Sequence, residues 1–294
     1  MTDIKDLSGL GEPAGKLIDA FRAVSATLFL PSHIRRVAKA KAESAILIAE
    51  GEAAATEIAA RTRRRIEADD VRHQANLEAI AERASHHLPA KLPSASVDPD
   101  WVFHFRDEAK NTSNEDMQEL WGRLLAGEMA NPGRFSRRTV SLLRLLDPAD
   151  AKEFAKLCQY IIADGLLMVD WSHSRIRNQE FRFEVLEHLE SIGLIRFNSL
   201  AGYSLSVSVS DVKVPLLIHY HNEVLRCDMT RCVPESPGEF RVALGNCLFT
   251  KQGREVSMLV ERIYSPDILR YLVESIGSQN APMTVSVADQ SKTK

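Results

Sequence analysis

The sequence predicts a mainly α-helical protein with a C-terminal α+β part. Residues 32–88 contain one glycine and no proline, which indicates a long helical stretch. From residue 101 apolar residues recur at helical spacing, and after Gly193 the pattern changes to alternating apolar and polar residues. A chain of 294 residues, 45% of them hydrophobic, can bury one large or two ordinary cores.

The charge and the cysteines narrow the class of protein. With a net charge of −3, the chain has neither the overall positive charge that attracts nucleic acid nor the large acidic excess that is typical of disordered proteins. The chain has no C-x-x-C pair and no secretory signal, so we expect reduced thiols and a cytoplasmic location, with attachment to the inner membrane surface as the alternative. The thiols are Cys158, Cys227, Cys232 and Cys247.

Residues 1–31 contain an amphipathic segment. The run Leu17–Leu30 is interrupted by Asp19 and Arg22 and is shorter than the ~20 residues that a membrane-spanning helix needs. Its apolar stripe either docks onto another helix of this protein or lies in a membrane interface. The stripe consists of Leu17, Phe21, Val24 and Leu28.

Residues 32–88 predict one long helix rich in Ala, Arg and Glu, or a helical hairpin. Their large aliphatic residues hold no sustained heptad, which favours a loose Ala-lined coiled-coil stalk over a leucine zipper. The basic run within it, "RTRRR", is either an anion or nucleic-acid patch or part of a solvated, ion-paired helix face. Its arginines are Arg61, Arg63, Arg64 and Arg65.

Residues 89–100 carry three prolines and predict a linker before a central helical module at 101–165. Its helices are expected at 101–110, 114–130, 137–146 and 148–163, with Ser113 or Asn114 capping the second. In that helix Trp121 falls on the apolar stripe, and Gly122 and Ala126 form a small face for a close helix contact.

The stretch "GEMANPGRFSRRTV" predicts a helical corner at the Asn-Pro-Gly step, with Ser136 as the next N-cap. Glu128 occupies the negative end of one helix dipole, and Arg137 and Arg138 occupy the positive end of the next. We interpret Glu128 as a latch that reaches across the turn to these arginines or to free amides of the second helix. The alternative is a buried general acid or base.

Residues 166–276 predict a winged-helix-like α+β region. A helix near 181–192 is followed by "GLIRFNSLAGYSLSVSVS", which predicts a hairpin around Ala201-Gly202, and Thr250 is expected to cap a later helix. Three glutamates in "FRFEVLEHLESIG" favour protein packing over DNA reading, because they would repel phosphates. Residues 277–294 are expected to be a disordered tail.

Recognisable catalytic and cofactor motifs are lacking in the sequence. We expect no metal and no cofactor, although His219, His221, Cys227 and Cys232 leave a loose zinc arrangement as an alternative.

The segment "DMQELWGRLLAGEMANPGRFSRRTVSLLRLLDPADAKEF" resembles an uncharacterised bacterial family, catalogued as a domain of unknown function, in its W-G-x-x-L-A-G-E and P-G-x-F-S-x-R-T motifs. The stretches "LSGLGEPAGKLIDAF", "IRRVAKAKAE" and "RHQANLEAIAERA" are similar to the N-terminal half of that family, so the resemblance covers residues 7–162. More remotely, the order of elements resembles the alpha class of abortive-infection proteins. That resemblance implies phage defence by self-assembly or membrane action rather than by catalysis.

The leading expectation is therefore a non-enzymatic interaction protein that forms homo-oligomers, binds an unidentified protein partner and contacts a membrane surface. A DNA-binding regulator that uses the C-terminal region or the arginine run is the first alternative. A hydrolase that uses Glu128 is the second.

Overall fold

The computed structural model describes residues 52–93, 95–162 and 165–288. The chain divides into two compact units, one that ends at Arg144 and one that begins at Leu145. The described part of the first unit is helical, and the second combines helices with small antiparallel sheets. A helical first part with β-structure toward the C-terminus is thus confirmed.

The described residues of the first unit form α1 (Glu52–His86), α2 (Pro99–Ala109), α3 (Glu115–Ala130) and α4 (Arg137–Leu145), the last of which ends on the first residue of the second unit. Side-chain caps set two of the starting points, because the first amides of a helix lack acceptors within it. The Asp98 carboxylate accepts a hydrogen bond from the Asp100 amide at 3.0 Å. Asn114, one of the two predicted caps, accepts one from the Met117 amide at 3.0 Å.

Helices α1 and α3 pack closely around Gly122. A Cβ atom at this position would lie 2.8 Å from the Arg83 Cβ and 3.0 Å from the Ala84 nitrogen. The neighbouring Trp121 side chain is completely buried. The packing role predicted for Gly122 is therefore confirmed: its missing side chain lets the two backbones meet.

Only the C-terminal half of α1 is packed in this way. Leu77, Ile80 and Ala84 are buried, whereas residues 56–72 are exposed apart from the half-buried Ala60 and Asp69. We call residues 56–72 the projecting segment. Between residues 52 and 86 the helix is continuous over 35 residues, a length of about 52 Å. The part of the predicted stalk before Glu52 lies outside the described residues.

The second unit contains four α-helices and nine short strands among its described residues. The helices are α5 (Pro148–Cys158), α6 (Phe183–Ser191), α7 (Lys251–Ser257) and α8 (Pro266–Gln279), with a π-helical turn at Ile176–Glu180. The strands are β1 (Ile161–Ile162), β2 (Leu166–Leu167), β3 (Ile195–Phe197), β4 (Tyr203–Ser208), β5 (Leu216–Tyr220), β6 (Glu223–Asp228), β7 (Glu239–Gly245), β8 (Cys247–Phe249) and β9 (Thr284–Val287).

The strands that the structure describes in the second unit pair antiparallel, and the predicted hairpin around Ala201-Gly202 is wrong. Strand β3 pairs with β8, and β4 pairs with β7. The paired residues on the two legs of this ribbon are between 31 residues apart, at Ser208 and Glu239, and 54 residues apart, at Ile195 and Phe249. Strands β1 and β2 form a third pair, and β5, β6 and β9 form a three-stranded sheet.

The Ala201-Gly202 step lies in the loop that connects β3 to β4 on one leg of this ribbon. The Asn198 side chain accepts hydrogen bonds from the amides of Leu200 and Ala201 at 3.2 and 3.0 Å, which closes a local turn. The Asn198 amide donates to the Asn246 carbonyl at 2.8 Å on the opposite leg. The local turn chemistry was visible in the sequence, but the partner of each strand was not.

The C-terminal end is more ordered than expected. Thr250 caps α7 as predicted, since its side chain accepts a hydrogen bond from the Gly253 amide at 2.9 Å. Strand β9 lies within the expected disordered tail and pairs with β6, while residues 289–294 lie outside the described part. None of the helices that the structure describes combines the length and apolar character needed to cross a bilayer.

Candidate functional site

The corner between α3 and α4 was the first candidate site, and Glu128 lies at its centre. The side chain is in the last turn of α3 and is 1% exposed. Its carboxylate oxygens accept hydrogen bonds from the amides of Gly133 at 2.5 Å and Phe135 at 2.9 Å. Gly133 has a φ of +86°, a backbone conformation that glycine adopts without strain. The turn therefore folds back over Glu128.

The arginine partners predicted for Glu128 are not the ones that the structure provides. Arg137 and Arg138 are exposed on the first turn of α4, and the carboxylate binds amides of the turn that precedes this helix. Backbone amides can approach a buried carboxylate more closely than long, hydrated guanidinium groups can. They also offset the unfavourable dipole at the end of α3.

Aromatic packing and capping complete this corner. The Trp101 indole nitrogen donates a hydrogen bond to the Phe135 carbonyl at 2.8 Å. The Trp101 ring stacks on Phe105, and Phe105 meets Trp121 edge to face. Ser136 accepts a hydrogen bond from the Thr139 amide at 3.4 Å, the position of an N-cap.

This arrangement leaves Glu128 little capacity for proton transfer. Both carboxylate oxygens accept backbone hydrogen bonds, and the side chain is shielded from solvent. A general acid or base must reach a proton of the substrate, directly or through one water. The geometry favours a structural role over the catalytic alternative.

Another carboxylate of α3, Glu119, has a different environment near the surface. It accepts hydrogen bonds from the His87 imidazole at 2.6 Å and the Arg123 guanidinium at 2.9 Å. Partial burial acts to raise the pKa of Glu119, but the hydrogen bonds and charges of Arg123 and His87 outweigh it and lower this pKa.

The arginine run lies on the projecting segment and is exposed along its whole length. Arg61 lies 3.8 Å from the Glu57 carboxylate, four residues before it. Asp69 lies 3.2 Å from the Arg72 guanidinium, three residues after it. These are exposed pairs one helical turn apart, the kind that contributes little to stability.

The apolar stripe for which a membrane surface or another helix was predicted lies outside the described residues; it consists of Leu17, Phe21, Val24 and Leu28.

The zinc alternative does not form a site in the part of the chain that the structure describes, where no group of three or more potential ligands could hold a metal ion. His219 and Cys227 lie on neighbouring strands but on opposite faces, because His219 is exposed and Cys227 is buried. Burial raises the pKa of the Cys227 thiol to about 11. His221 is in the turn of the β5–β6 hairpin, with a φ of +52°.

A buried polar cluster in the second unit was not predicted from the sequence. Asp170 is 4% exposed, and its carboxylate accepts hydrogen bonds from the Ser172 amide at 2.8 Å and the Ser172 hydroxyl at 2.6 Å. The Asp170 amide donates to the Tyr271 hydroxyl at 2.7 Å, and Ser275 donates to the carboxylate at 3.4 Å. A signal was present in "VDWSHSR", where polar residues follow the apolar run Leu166–Val169.

The hydrogen bonds of this cluster join the segment after β2 to α8. The His173 ring lies edge-on to Tyr271 at 4.9 Å and its Nε2 atom is 3.6 Å from the Glu274 carboxylate. Burial raises the pKa of the Tyr271 phenol, so this hydroxyl stays protonated. The cluster has the composition of an active site, but its carboxylate binds protein donors within the fold.

Comparison with known proteins identifies one family. A family model described as "Protein of unknown function (DUF2806)" matches residues 60–272, which is well over half of the chain. This agrees with the resemblance to a family of unknown function. Neither a curated protein nor a solved structure matches the chain.

Proposed function

We propose that this chain, which belongs to the DUF2806 family of proteins of unknown function, is a non-enzymatic interaction protein whose contact surface is the projecting segment of α1. A single observation carries the proposal: the face of α1 whose apolar stripe is buried in the packed half carries exposed isoleucines again in the projecting segment, beyond the polar positions Asp70 and His73.

The stripe follows the three- and four-residue spacing of one helix face. In the packed half it contains Leu77 and Ile80, which are 4% and 1% exposed. In the projecting segment it continues as Ile58, Thr62 and Ile66, and the two isoleucines are 57% and 46% exposed. A helix face that is buried in one half and uncovered in the other is typical of a surface that binds a further helix.

The polar sites described above also support a non-enzymatic role. Glu128 and Asp170 are the buried carboxylates with the strongest resemblance to catalytic groups, and both accept hydrogen bonds from nearby protein donors. The proposal assigns to each a role in holding a turn.

For the winged-helix-like region, we propose a protein-packing role rather than DNA reading. Helix α6 leads into the β3–β8 pair, and its exposed side carries Glu184, Glu187 and Glu190. Carboxylates on this side would repel a phosphate backbone. The DNA-binding alternative therefore depends on the arginine run alone.

The biological setting that we propose is defence against phage, with assembly at or near a membrane surface through Leu17, Phe21, Val24 and Leu28. This setting is supported by the resemblance of the order of elements to abortive-infection proteins.

The contact surface can be tested by photo-crosslinking in cells. A photoreactive amino acid at Ile58 or Ile66 should give one discrete adduct whose partner is identified by mass spectrometry. The same group at Val71, which is 70% exposed and about 140° round the helix from Ile66, should give none. Equal adducts from all three positions, or an absence of adducts, would refute the proposed surface.

The defence setting has a separate test. Expression of the chain should lower the plating efficiency of phages in a diverse panel, Ile66→Asp should abolish this effect, and Val71→Asp should preserve it. Plating equal to the empty vector across the panel would refute the defence proposal.

A further inference from the structure

The projecting segment carries two adjoining blocks of opposite charge. The basic block consists of Arg61, Arg63, Arg64 and Arg65. The acidic block consists of Glu67, Asp69 and Asp70. All seven side chains belong to the exposed half of α1, where only Asp69 is half-buried, and Ile66 lies between the two blocks on the uncovered apolar stripe.

Two ion pairs within the helix join these blocks to their surroundings. The pair between Arg61 and Glu57 and the pair between Arg72 and Asp69 each connect one block to a residue beyond its outer end. Both pairs are exposed and therefore weak. The basic and acidic blocks remain at the surface, where a partner of opposite charge can reach them.

We propose that the partner of the projecting segment is a second copy of the same segment, bound antiparallel about a two-fold axis at Ile66. In this arrangement, a residue that lies a given number of positions before Ile66 in one copy is level, along the helix axis, with the residue that lies the same number of positions after Ile66 in the other copy. Arg63 and Arg65, which flank Ile66 on either side of the helix, then lie alongside Glu67 and Asp69 of the other copy, whereas Arg61 and Arg64 point away from the contact. A parallel pair would place like charges together, which is destabilising.

The pattern is self-complementary, and this favours a second copy over an unrelated helix. A two-fold interface must present the same surface from both subunits. The order of charges along the helix meets this requirement. When the second copy runs in the opposite direction, basic residues of each copy lie near acidic residues of the other at both ends of the contact. Ile66 meets its own counterpart on the axis, and Ala59, on the same face, meets His73. This inference rests on the proposed function, because it identifies the partner for the same surface.

The register can be tested with single cysteines in the full chain. Cys158, Cys227 and Cys247 are buried, so Cys232→Ser provides a suitable background. Under mild oxidation Ile66→Cys should form a disulfide-linked homodimer. Ala59→Cys alone should not, because its two copies would be about 21 Å apart along the axis. A mixture of Ala59→Cys and His73→Cys chains should form the mixed dimer.

Charge reversal provides an independent test. One variant carries Arg63→Glu and Arg65→Glu, and the other carries Glu67→Lys and Asp69→Lys. Sedimentation velocity should give the monomer mass of 32.8 kDa for each variant alone and twice this mass for the mixture. The wild-type dimer should weaken as salt is added, because exposed charges are screened.

The outcomes separate this inference from the proposed function. A monomeric wild-type chain at high concentration, homodimers that form equally from Ala59→Cys chains and Ile66→Cys chains, or dimers unaffected by charge reversal would each overturn the antiparallel pairing. If the photo-crosslinks at Ile58 and Ile66 then identify a different protein, the contact surface stands and only its occupant is wrong. Adducts that are absent altogether would remove the surface as well.

Discussion

The structure predicts that replacing Glu128 by alanine destabilises the corner between α3 and α4. The carboxylate is the acceptor for the Phe135 amide, which is buried, and for the Gly133 amide, which lies at the surface of the turn. A buried donor without an acceptor costs about 1–3 kcal/mol, and a donor that water can reach costs less. We therefore expect a loss of about 2–3 kcal/mol in the first unit.

Hydrogen exchange measured by mass spectrometry on the full chain can resolve this loss by region. A loss of this size would raise the exchange rates of peptides that cover residues 128–140 by about 30- to 150-fold, if exchange follows local opening. Peptides from the second unit serve as an internal reference. Glu128→Gln keeps one acceptor oxygen, so its effect should be smaller than that of alanine.

The matched control is Arg137→Ala, which removes the ion-pair partner that the sequence suggested. Because Arg137 is exposed and the carboxylate binds turn amides, we expect a change of less than about 0.5 kcal/mol. The assignment of the latch to backbone amides is refuted if Arg137→Ala accelerates exchange at the corner as much as Glu128→Ala does. Unchanged exchange in Glu128→Ala would refute the latch itself.

Three further predictions follow from single contacts. A Cβ on Gly253 would lie 1.7 Å from the Leu194 carbonyl oxygen, so Gly253→Ala should lower the free energy of unfolding of the second unit by about 3 kcal/mol. A Cβ on Gly277 would have no atom closer than 3.9 Å, so Gly277→Ala should raise this free energy by up to about 1 kcal/mol. Urea denaturation measures both changes. Tyr271→Phe leaves the Asp170 amide without its acceptor and should cost about 1–2 kcal/mol in the same assay; an unchanged midpoint would contradict this hydrogen bond. The lowered pKa of Glu119 stabilises the folded state at pH values above 4.5, the ordinary value for this carboxyl group. There the wild type should be more stable than Glu119→Gln by under about 1 kcal/mol, and this difference in stability should disappear as the pH falls through the lowered pKa. A difference that grows on acidification would contradict the sign.

Features that depend on a few neighbouring residues were predictable from the sequence. Asn114 and Thr250 cap helices because a short polar side chain reaches an amide three residues away. The burial of Trp121 and the close contact at Gly122 follow from helical spacing alone. These features depend on residues that are close in the sequence, so they can be predicted without knowledge of the tertiary structure.

Features that depend on distant parts of the chain were decided by the tertiary structure. Alternating residues after Gly193 indicate a strand, but they do not say that β3 pairs with β8 about 50 residues later. The partner of Glu128 depended on how the turn folds back, and the partner of Asp170 lies about 100 residues away on α8. Periodicity tells which face of an element is apolar, whereas the choice of partner is made only when long-range packing brings two faces together.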